Sequence, residues 1–121
     1  ILKSSSDELV LNLYDAAMEC GLDCIIEVHD KDEMERAIKF ENAIIGINNR
    51  NLKSFETDLK TTVNSCNTFN LSEKTLICES GINNKEDINY IFEKTKISNF
   101  LVGESLIKSP SIYDKMKELI A

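Results

Sequence analysis

Short apolar runs alternate with longer amphipathic stretches along the chain, and this alternation restricts the fold more than any other feature. Four runs are rich in β-branched residues and end in polar ones: residues 24–28, 43–48, 75–79 and 99–103. They lack strict apolar–polar alternation, which is typical of strands buried on both faces. Such strands form parallel sheets that are covered by helices. The pattern therefore predicts an α/β fold.

The intervening stretches show helical spacing and capping residues. The first predicted helix has one apolar face, made of Leu9, Leu13, Ala16, Ala17 and Cys20. Ser5 and Glu8 predict a capping box at its start. Asp30 predicts the start of the second helix, and a shorter helix is predicted over residues 59–66. Pro110 is predicted to lie in the first turn of the last helix.

The order of these elements predicts four parallel strands joined by right-handed crossovers. A doubly wound open sheet and part of a (β/α)8 barrel both fit this order. A complete barrel needs about 250 residues, so a chain of 121 residues would hold about half of one. Ile1 and Leu2 are predicted to end a preceding strand. Because the chain starts at Ile rather than Met, we expect residues 1–121 to be the C-terminal half of a longer barrel domain.

Composition excludes several classes of protein. The chain is 42% hydrophobic and 29% charged, as expected of a globular domain, and its net charge of -7 argues against nucleic-acid binding. No apolar run is long enough to cross a bilayer, and the first residues are too few and too polar for a signal peptide. The spacing of the four cysteines is not typical of a disulfide framework or a metal site. We expect buried free thiols and a cytoplasmic location.

Polar residues end the predicted strands where parallel α/β folds carry their active sites. Glu27, Asn48 and Glu79 each follow apolar strand residues directly. A carboxylate there is costly to bury unless it is paired or used. The carboxylates could instead be solvated rim residues and Asn48 could simply turn the chain, but three such residues at equivalent points favour catalysis. His29, the single histidine, is predicted to have a structural or loop role.

The loops after the last two strands predict an anion site. Gly81 and Gly103 each lead into a helical segment, where consecutive backbone N–H groups can bind phosphate. The side chain of Glu104 would repel an anion, so only its backbone is assigned to the site. Arg50 is predicted to be a surface charge or a partner of Glu27 or Glu79.

Four motifs together resemble indole-3-glycerol-phosphate synthases, in the order and spacing of strands five to eight of that barrel. They are Ile-Glu-Val-His-Asp at 26–30, Ile-Gly-Ile-Asn-Asn-Arg-Asn-Leu at 45–52, Glu-Ser-Gly-Ile at 79–82 and Phe-Leu-Val-Gly-Glu-Ser-Leu at 100–106. The second motif is the most specific. The related phosphoribosylanthranilate isomerases share the phosphate-site logic but not its Asn-Asn-Arg stretch.

That family closes an indole ring on 1-(2-carboxyphenylamino)-1-deoxyribulose 5-phosphate with loss of CO2 and water, and it uses no metal or organic cofactor. The resemblance implies a catalytic set that comprises Glu27, Asn48, Glu79 and Ser80. It also implies a set that binds the phosphorylated substrate: Arg50, Gly81, Gly103 and Glu104. Within these sets Glu27 is the expected general base or proton shuttle, and Asn48 is the expected orienting amide.

The resemblance also implies that part of the machinery lies elsewhere. The family's catalytic lysines belong to the first and third strands, and no lysine ends a predicted strand here. We therefore expect little or no activity from this chain alone, and we expect its uncovered sheet face to self-associate or to pair with an N-terminal half. Two alternatives are a sugar-phosphate isomerase on a related barrel and a non-enzymatic α/β module. The module predicts that Glu27, Asn48 and Glu79 do not converge.

Overall fold

A single parallel sheet organises the computed structural model, which describes residues 2–121. Its strands are β1 (Ile25–Val28), β2 (Ile44–Asn48), β3 (Leu76–Glu79) and β4 (Phe100–Leu101), side by side in chain order. All neighbouring strands are parallel. The strand order of a doubly wound sheet reverses at a switch point, and this order does not. The predicted partial (β/α)8-barrel fold is therefore confirmed.

Helices connect the strands. They are α1 (Asp7–Glu19), α2 (Lys31–Ala37), α3 (Lys60–Thr68), α4 (Lys85–Thr95), α5 (Glu104–Ile107) and α6 (Ile112–Ile120). A short 3-10 helix, Leu2–Ser4, precedes α1, so the prediction that Leu2 ends a strand is wrong. Ile1 lies outside the described residues. Over residues 2–121, no helix is both long and apolar enough to cross a membrane.

Capping side chains fix where the helices begin, because each accepts a hydrogen bond from a backbone N–H three residues further on. Asp30 caps α2 as predicted, with its Oδ1 2.9 Å from the backbone nitrogen of Glu33. Ser6 rather than Ser5 caps α1. Ser111 caps α6, so Pro110 precedes the cap instead of lying in the first turn.

The hydrophobic core lies on one side of the sheet, which we call the outer side. Its strand residues Val28, Ile45, Ile47 and Cys78 are buried against the helices. The predicted apolar face of α1 does not join this core: Leu9, Leu13, Ala16 and Cys20 are exposed. The helix instead packs through Val10 and Tyr14, and none of its residues is fully buried. Beside the edge strand β1, α1 has only one side to pack against.

The other side, which we call the inner side, is uncovered within the described residues. Paired residues of parallel strands point to the same side of the sheet, and the register pairs Ile25 with Ile44 and Glu79 with Leu101. Ile25 is 53% exposed and Leu101 59% exposed. The prediction of strands buried on both faces is therefore wrong for this side, because no element of residues 2–121 packs on it.

The cysteines are free, as predicted, but they are not uniformly buried. Cys78 is buried, Cys24 and Cys66 are half-buried, and Cys20 is exposed. Burial raises the pKa of the Cys78 thiol. The expectation of buried thiols is wrong for Cys20, because this residue caps the C-terminus of the loosely packed α1.

Candidate active site

Three polar residues meet at the carboxyl ends of β1, β2 and β3. The register aligns Glu27 with Gly46 and Asn48 with Glu79, so all three polar side chains point to the inner side. Asn48 Nδ2 donates a hydrogen bond of 3.2 Å to Glu27 Oε1. Glu27 in turn hydrogen-bonds the Glu79 carboxyl. The three side chains therefore form one contiguous group, contrary to the expectation for a non-enzymatic module.

Gly46 creates the space that Glu79 occupies. The Glu79 side chain lies across the neighbouring strand and is only 3% exposed. A Cβ atom at Gly46 would lie 2.0 Å from Glu79 Oε1, closer than any real contact. Glycine inside a strand often marks such a close approach. The sequence carried this signal as a glycine within an isoleucine-rich run, but Gly46 was not among the predicted site residues.

Burial and a neighbouring carboxylate make Glu79 a proton-exchanging group near neutral pH. Burial is the largest cause that raises the pKa of Glu79 to about 7, followed by the negative charge of Glu27 and the hydrogen bond between the two carboxyls. The charge of His29 acts in the opposite direction. A carboxyl with its pKa near 7 can donate or accept a proton at that pH, as general acid–base catalysis requires.

A buried asparagine holds the turn that follows β3. Ser80 and Gly81 both have positive φ, 65° and 82°. Asn49 Nδ2 donates to the Ser80 carbonyl at 3.0 Å, and Asn49 Oδ1 accepts from the hydroxyl of Thr62 at 2.8 Å. Asn49 thus ties α3 to the turn. It was recognised in the sequence only as part of a motif, because its partners are distant along the chain.

Arg50 and Glu104 form an ion pair across the rim of the site. The Arg50 guanidinium also donates to the carbonyl of Phe55 at 2.8 Å. Of the two alternatives for Arg50, pairing with Glu27 or Glu79 is not what the structure shows, because its loop directs the side chain toward α5. The side chain of Glu104 takes part in ion pairs, and hydrogen bonds from Lys108 and then Arg50 lower its pKa.

A cavity of about 1430 Å³ opens above the strand ends. Most of the predicted site residues line it: Asn48, Arg50, Ser80, Gly81, Gly103 and Glu104. Glu79 is not in its wall, because the side chain is buried beside Gly46. Glu27 borders a second cavity of about 250 Å³ between β1 and α1. The two carboxylates therefore lie on the inner side, next to the large cavity rather than within it.

The lining of the large cavity is mixed in charge. Three cations line it, and so do five carboxylates: Lys3, Arg50 and Lys53 against Asp30, Glu33, Glu56, Asp58 and Glu104. Lys3 is paired with Asp30 and Arg50 with Glu104, so an anion in this cavity would depend mainly on backbone N–H groups. The positive φ of Gly81 favours glycine, and a Cβ there would also lie 3.2 Å from Thr57 Cβ. A Cβ at Gly103 would meet no atom within 4 Å. Within residues 2–121, no group of three or more His, Cys, Asp or Glu side chains is arranged to hold a metal ion.

The solved structures show a likeness of fold. The chain resembles monomers of the dimeric phosphoribosylanthranilate isomerase from Thermotoga maritima, with a TM-score of 0.52 over 97% of this chain and 66% of that one. The two sequences are 15% identical, so the likeness concerns the fold alone.

Sequence comparisons agree on one family. A family profile described as indole-3-glycerol phosphate synthase matches residues 1–119. The indole-3-glycerol phosphate synthase of Bacillus cereus is 43% identical over 112 residues, which is 93% of this chain and 44% of the relative. The enzyme of Polynucleobacter asymbioticus is 39% identical over 93% of this chain and 41% of its own length. The chain spans less than half the length of these relatives, and it belongs to the indole-3-glycerol phosphate synthase family.

Proposed function

We propose that this chain is the C-terminal half of a (β/α)8-barrel lyase of tryptophan biosynthesis. The substrate is 1-(2-carboxyphenylamino)-1-deoxyribulose 5-phosphate, and the products are indole-3-glycerol phosphate, CO2 and water. The observation that carries this proposal is the Glu27–Glu79 carboxyl pair at the strand ends, in a chain of this family. The free cysteines support a reducing, cytoplasmic location.

The carboxyl pair supplies the proton transfers of the dehydration. Loss of water needs a base that removes a proton from carbon or nitrogen and an acid that protonates the departing hydroxyl. Glu79, with its pKa raised to about 7, holds a proton that it can deliver, while Glu27 accepts one. The 3.2 Å hydrogen bond from Asn48 fixes the direction of the Glu27 carboxylate. The reaction uses protein side chains only.

The substrate's phosphate fits the large cavity, which lies next to the carboxyl pair. The Ser80–Gly81 turn and the Gly103–Glu104 segment offer backbone N–H groups there. Arg50, which pairs with Glu104 of the same segment, helps to hold the substrate at this end.

The chain needs a further part of the barrel to convert its substrate. Ring closure requires an acid that polarises the substrate carbonyl, and the lysines among the described residues do not end a strand. The remaining strands would extend the sheet at its edge strands β1 and β4, and their inward side chains would cover the inner side with Ile25 and Leu101. Without them we expect this surface to associate with a second copy of the chain.

A turnover assay tests these statements. The chain is incubated with the substrate alone and together with a polypeptide corresponding to the remainder of the Bacillus cereus relative. We expect indole-3-glycerol phosphate only from the mixture, and about a hundredfold or greater loss in Glu27→Gln and Glu79→Gln. Glu93→Gln, an exposed change on α4, is the matched control.

Two results would contradict the proposal. Full activity of the chain alone would show that the missing acid is not required. Sugar-phosphate isomerisation without indole formation would replace the synthase with an isomerase. Sedimentation of the chain separately tests its self-association, which a stable monomer at high concentration would exclude.

A further inference from the structure

His29 lies between two carboxylates, although the proposed reaction assigns it no part. Its ring follows the end of β1, lines the large cavity and is largely buried, with Nδ1 3.0 Å from Glu33 Oε2 and Nε2 3.0 Å from Glu27 Oε1. The first contact is a hydrogen bond. The second has the distance of a hydrogen bond but not its alignment, and Nε2 has no other partner among the described residues. One ring therefore connects a buried carboxylate to a site carboxylate.

Glu33 is the fixed end of this connection. It is 3% exposed, and its backbone N–H donates to the capping carboxylate of Asp30 at 2.9 Å. Glu33 Oε2 accepts both the ring of His29 and the backbone N–H of the same residue, the latter at 2.8 Å. A buried carboxylate is costly unless its charge is paired and hydrogen-bonded. These two bonds hold Glu33 Oε2 in place, while the buried Oε1 has no hydrogen-bond partner among the described residues.

Glu27 is the mobile end. Its side chain is half-exposed, and within the described residues it contacts Asn48, His29 and Glu79. A flexible carboxylate transfers protons faster when neighbouring groups hold it in the direction that the reaction needs. Ionised carboxylates only accept, so a neutral ring with its proton on Nδ1 would bond Glu33 but turn a bare Nε2 lone pair to Glu27. A ring with protons on both nitrogens donates toward both carboxylates, and this form draws the Glu27 carboxylate toward Nε2.

We infer that His29 is a positioning residue: Glu33 holds its ring in place, and the ring in turn restricts the direction of the Glu27 carboxylate. This inference rests on the proposed function in one respect, namely that Glu27 acts in the reaction. The charged groups around the ring are Glu27 on β1, Glu33 and Asp30 at the start of α2, and Glu79 on β3; Lys3 pairs with Asp30.

The single histidine makes the inference directly measurable. The nitrogen signals of one imidazole report the tautomer by NMR, and carboxyl-carbon signals report Glu27 and Glu79. We expect both ring nitrogens to carry protons, because each faces a carboxylate oxygen at 3.0 Å. In His29→Gln we expect a changed Glu27 carboxyl signal and a higher titration midpoint for Glu79, because the charge of the ring no longer favours its ionised form.

Two further variants separate positioning from folding. Glu33→Gln keeps an acceptor oxygen for the ring but removes its charge, so it should produce smaller changes of the same sign. Ala37→Gly weakens α2 without touching the ring, and it should leave both carboxyl signals unchanged. Unchanged Glu27 and Glu79 signals in His29→Gln would overturn the inference, as would equal changes in Ala37→Gly.

The same variants in the turnover assay test the consequence for catalysis. For His29→Gln in the reconstituted protein we expect kcat to fall about tenfold to a hundredfold, with KM changed less than about twofold. An unchanged kcat would overturn the inference. If the unsubstituted mixture forms no indole product, the proposed function fails, while the NMR measurements still decide the position of Glu27.

Discussion

The two sides of one sheet differ in what they contain and in what covers them. On the outer side Val28, Ile45 and Ile47 are almost fully buried beneath the helices. On the inner side Ile25 and Leu101 are more than half exposed, and the polar strand ends converge. Successive residues of a strand face opposite sides, so both environments come from the same four runs. The outer side therefore stabilises this chain, while the inner side carries the candidate active site and the uncovered apolar surface.

The first prediction compares isoleucines on the two sides. Ile45→Ala removes a fully buried side chain from the outer side, so we expect the free energy of unfolding to fall by about 2–5 kcal/mol. Ile25→Ala removes a half-exposed side chain from the inner side, and it should cost less than about 1 kcal/mol. Urea denaturation of both variants gives the two values. Similar costs would mean that the inner side is covered in solution, as in a dimer.

The second prediction concerns the pH dependence of stability on the inner side. The pKa of Glu79 is about 7 in the folded chain against an ordinary value of 4.5, so the folded chain binds more protons between these values. Raising the pH through this window therefore destabilises the fold, by about 3 kcal/mol in total. The contribution is fully present below pH 4.5 and lost as the pH passes 7.

Replacing Glu79 isolates this contribution. In Glu79→Gln we expect the decline in unfolding free energy between about pH 5 and 7.5 to become much smaller. Denaturation curves at several pH values measure it, with the exposed Glu93→Gln as a control that keeps the decline. A decline of the same size in Glu79→Gln would assign it to other groups.

The third prediction concerns the space at Gly46 that the Glu79 side chain occupies, rather than the Glu79 carboxylate itself. In Gly46→Ala the added methyl group would overlap Glu79 Oε1, so the side chain must move toward solvent. We expect the pKa of Glu79 to fall from about 7 toward its ordinary value, because burial is the main cause of the shift. The pH-dependent loss of stability should shrink by about 1–2 kcal/mol.

Carboxyl-carbon NMR measures that titration directly. Gly103→Ala is the matched glycine control, since a Cβ there meets no atom within 4 Å and should leave the pKa of Glu79 unchanged. If Gly46→Ala also left that pKa unchanged, the space at Gly46 would not be what buries the Glu79 carboxylate.

The sequence predicted the outer side better than the inner side, for a physical reason. Apolar runs and caps such as Asp30 are local signals, and they located the strands and the start of α2. The side of α1 that packs against the core cannot be read from local spacing. Leu9 and Leu13 have the same helical spacing as Val10 and Tyr14, but only the latter pair packs against the core. Nor can a run of residues reveal whether the elements that would cover its second face are present.

In the candidate site, too, the sequence predicted some features and missed others. The rule that parallel strands end at one edge predicted that Glu27, Asn48 and Glu79 would meet. It did not predict the contact of Glu79 with Gly46, or the ion pair of Arg50 with Glu104, which lie 54 residues apart. Such contacts depend on distances between elements, and the sequence does not contain them. His29 was predicted to have a structural or loop role. It does lie in the loop after β1, between Glu27 two residues before it and Glu33 four residues after it.

The last and smallest effect lies at the junction between the two sides. Asp30 begins α2, which covers the outer side, and it also fixes Glu33 behind the site. A hydrogen bond from the backbone N–H of Glu33 is the main cause that lowers the pKa of Asp30. Its stabilisation is therefore present above the ordinary pKa and is lost as the pH falls through the lowered one. Asp30→Ala should cost about 1 kcal/mol at pH 7, and Asp30→Asn, which can still cap, should cost less. Urea denaturation measures both, and equal costs would show that the charge facing Lys3, rather than the cap, is what stabilises the start of α2.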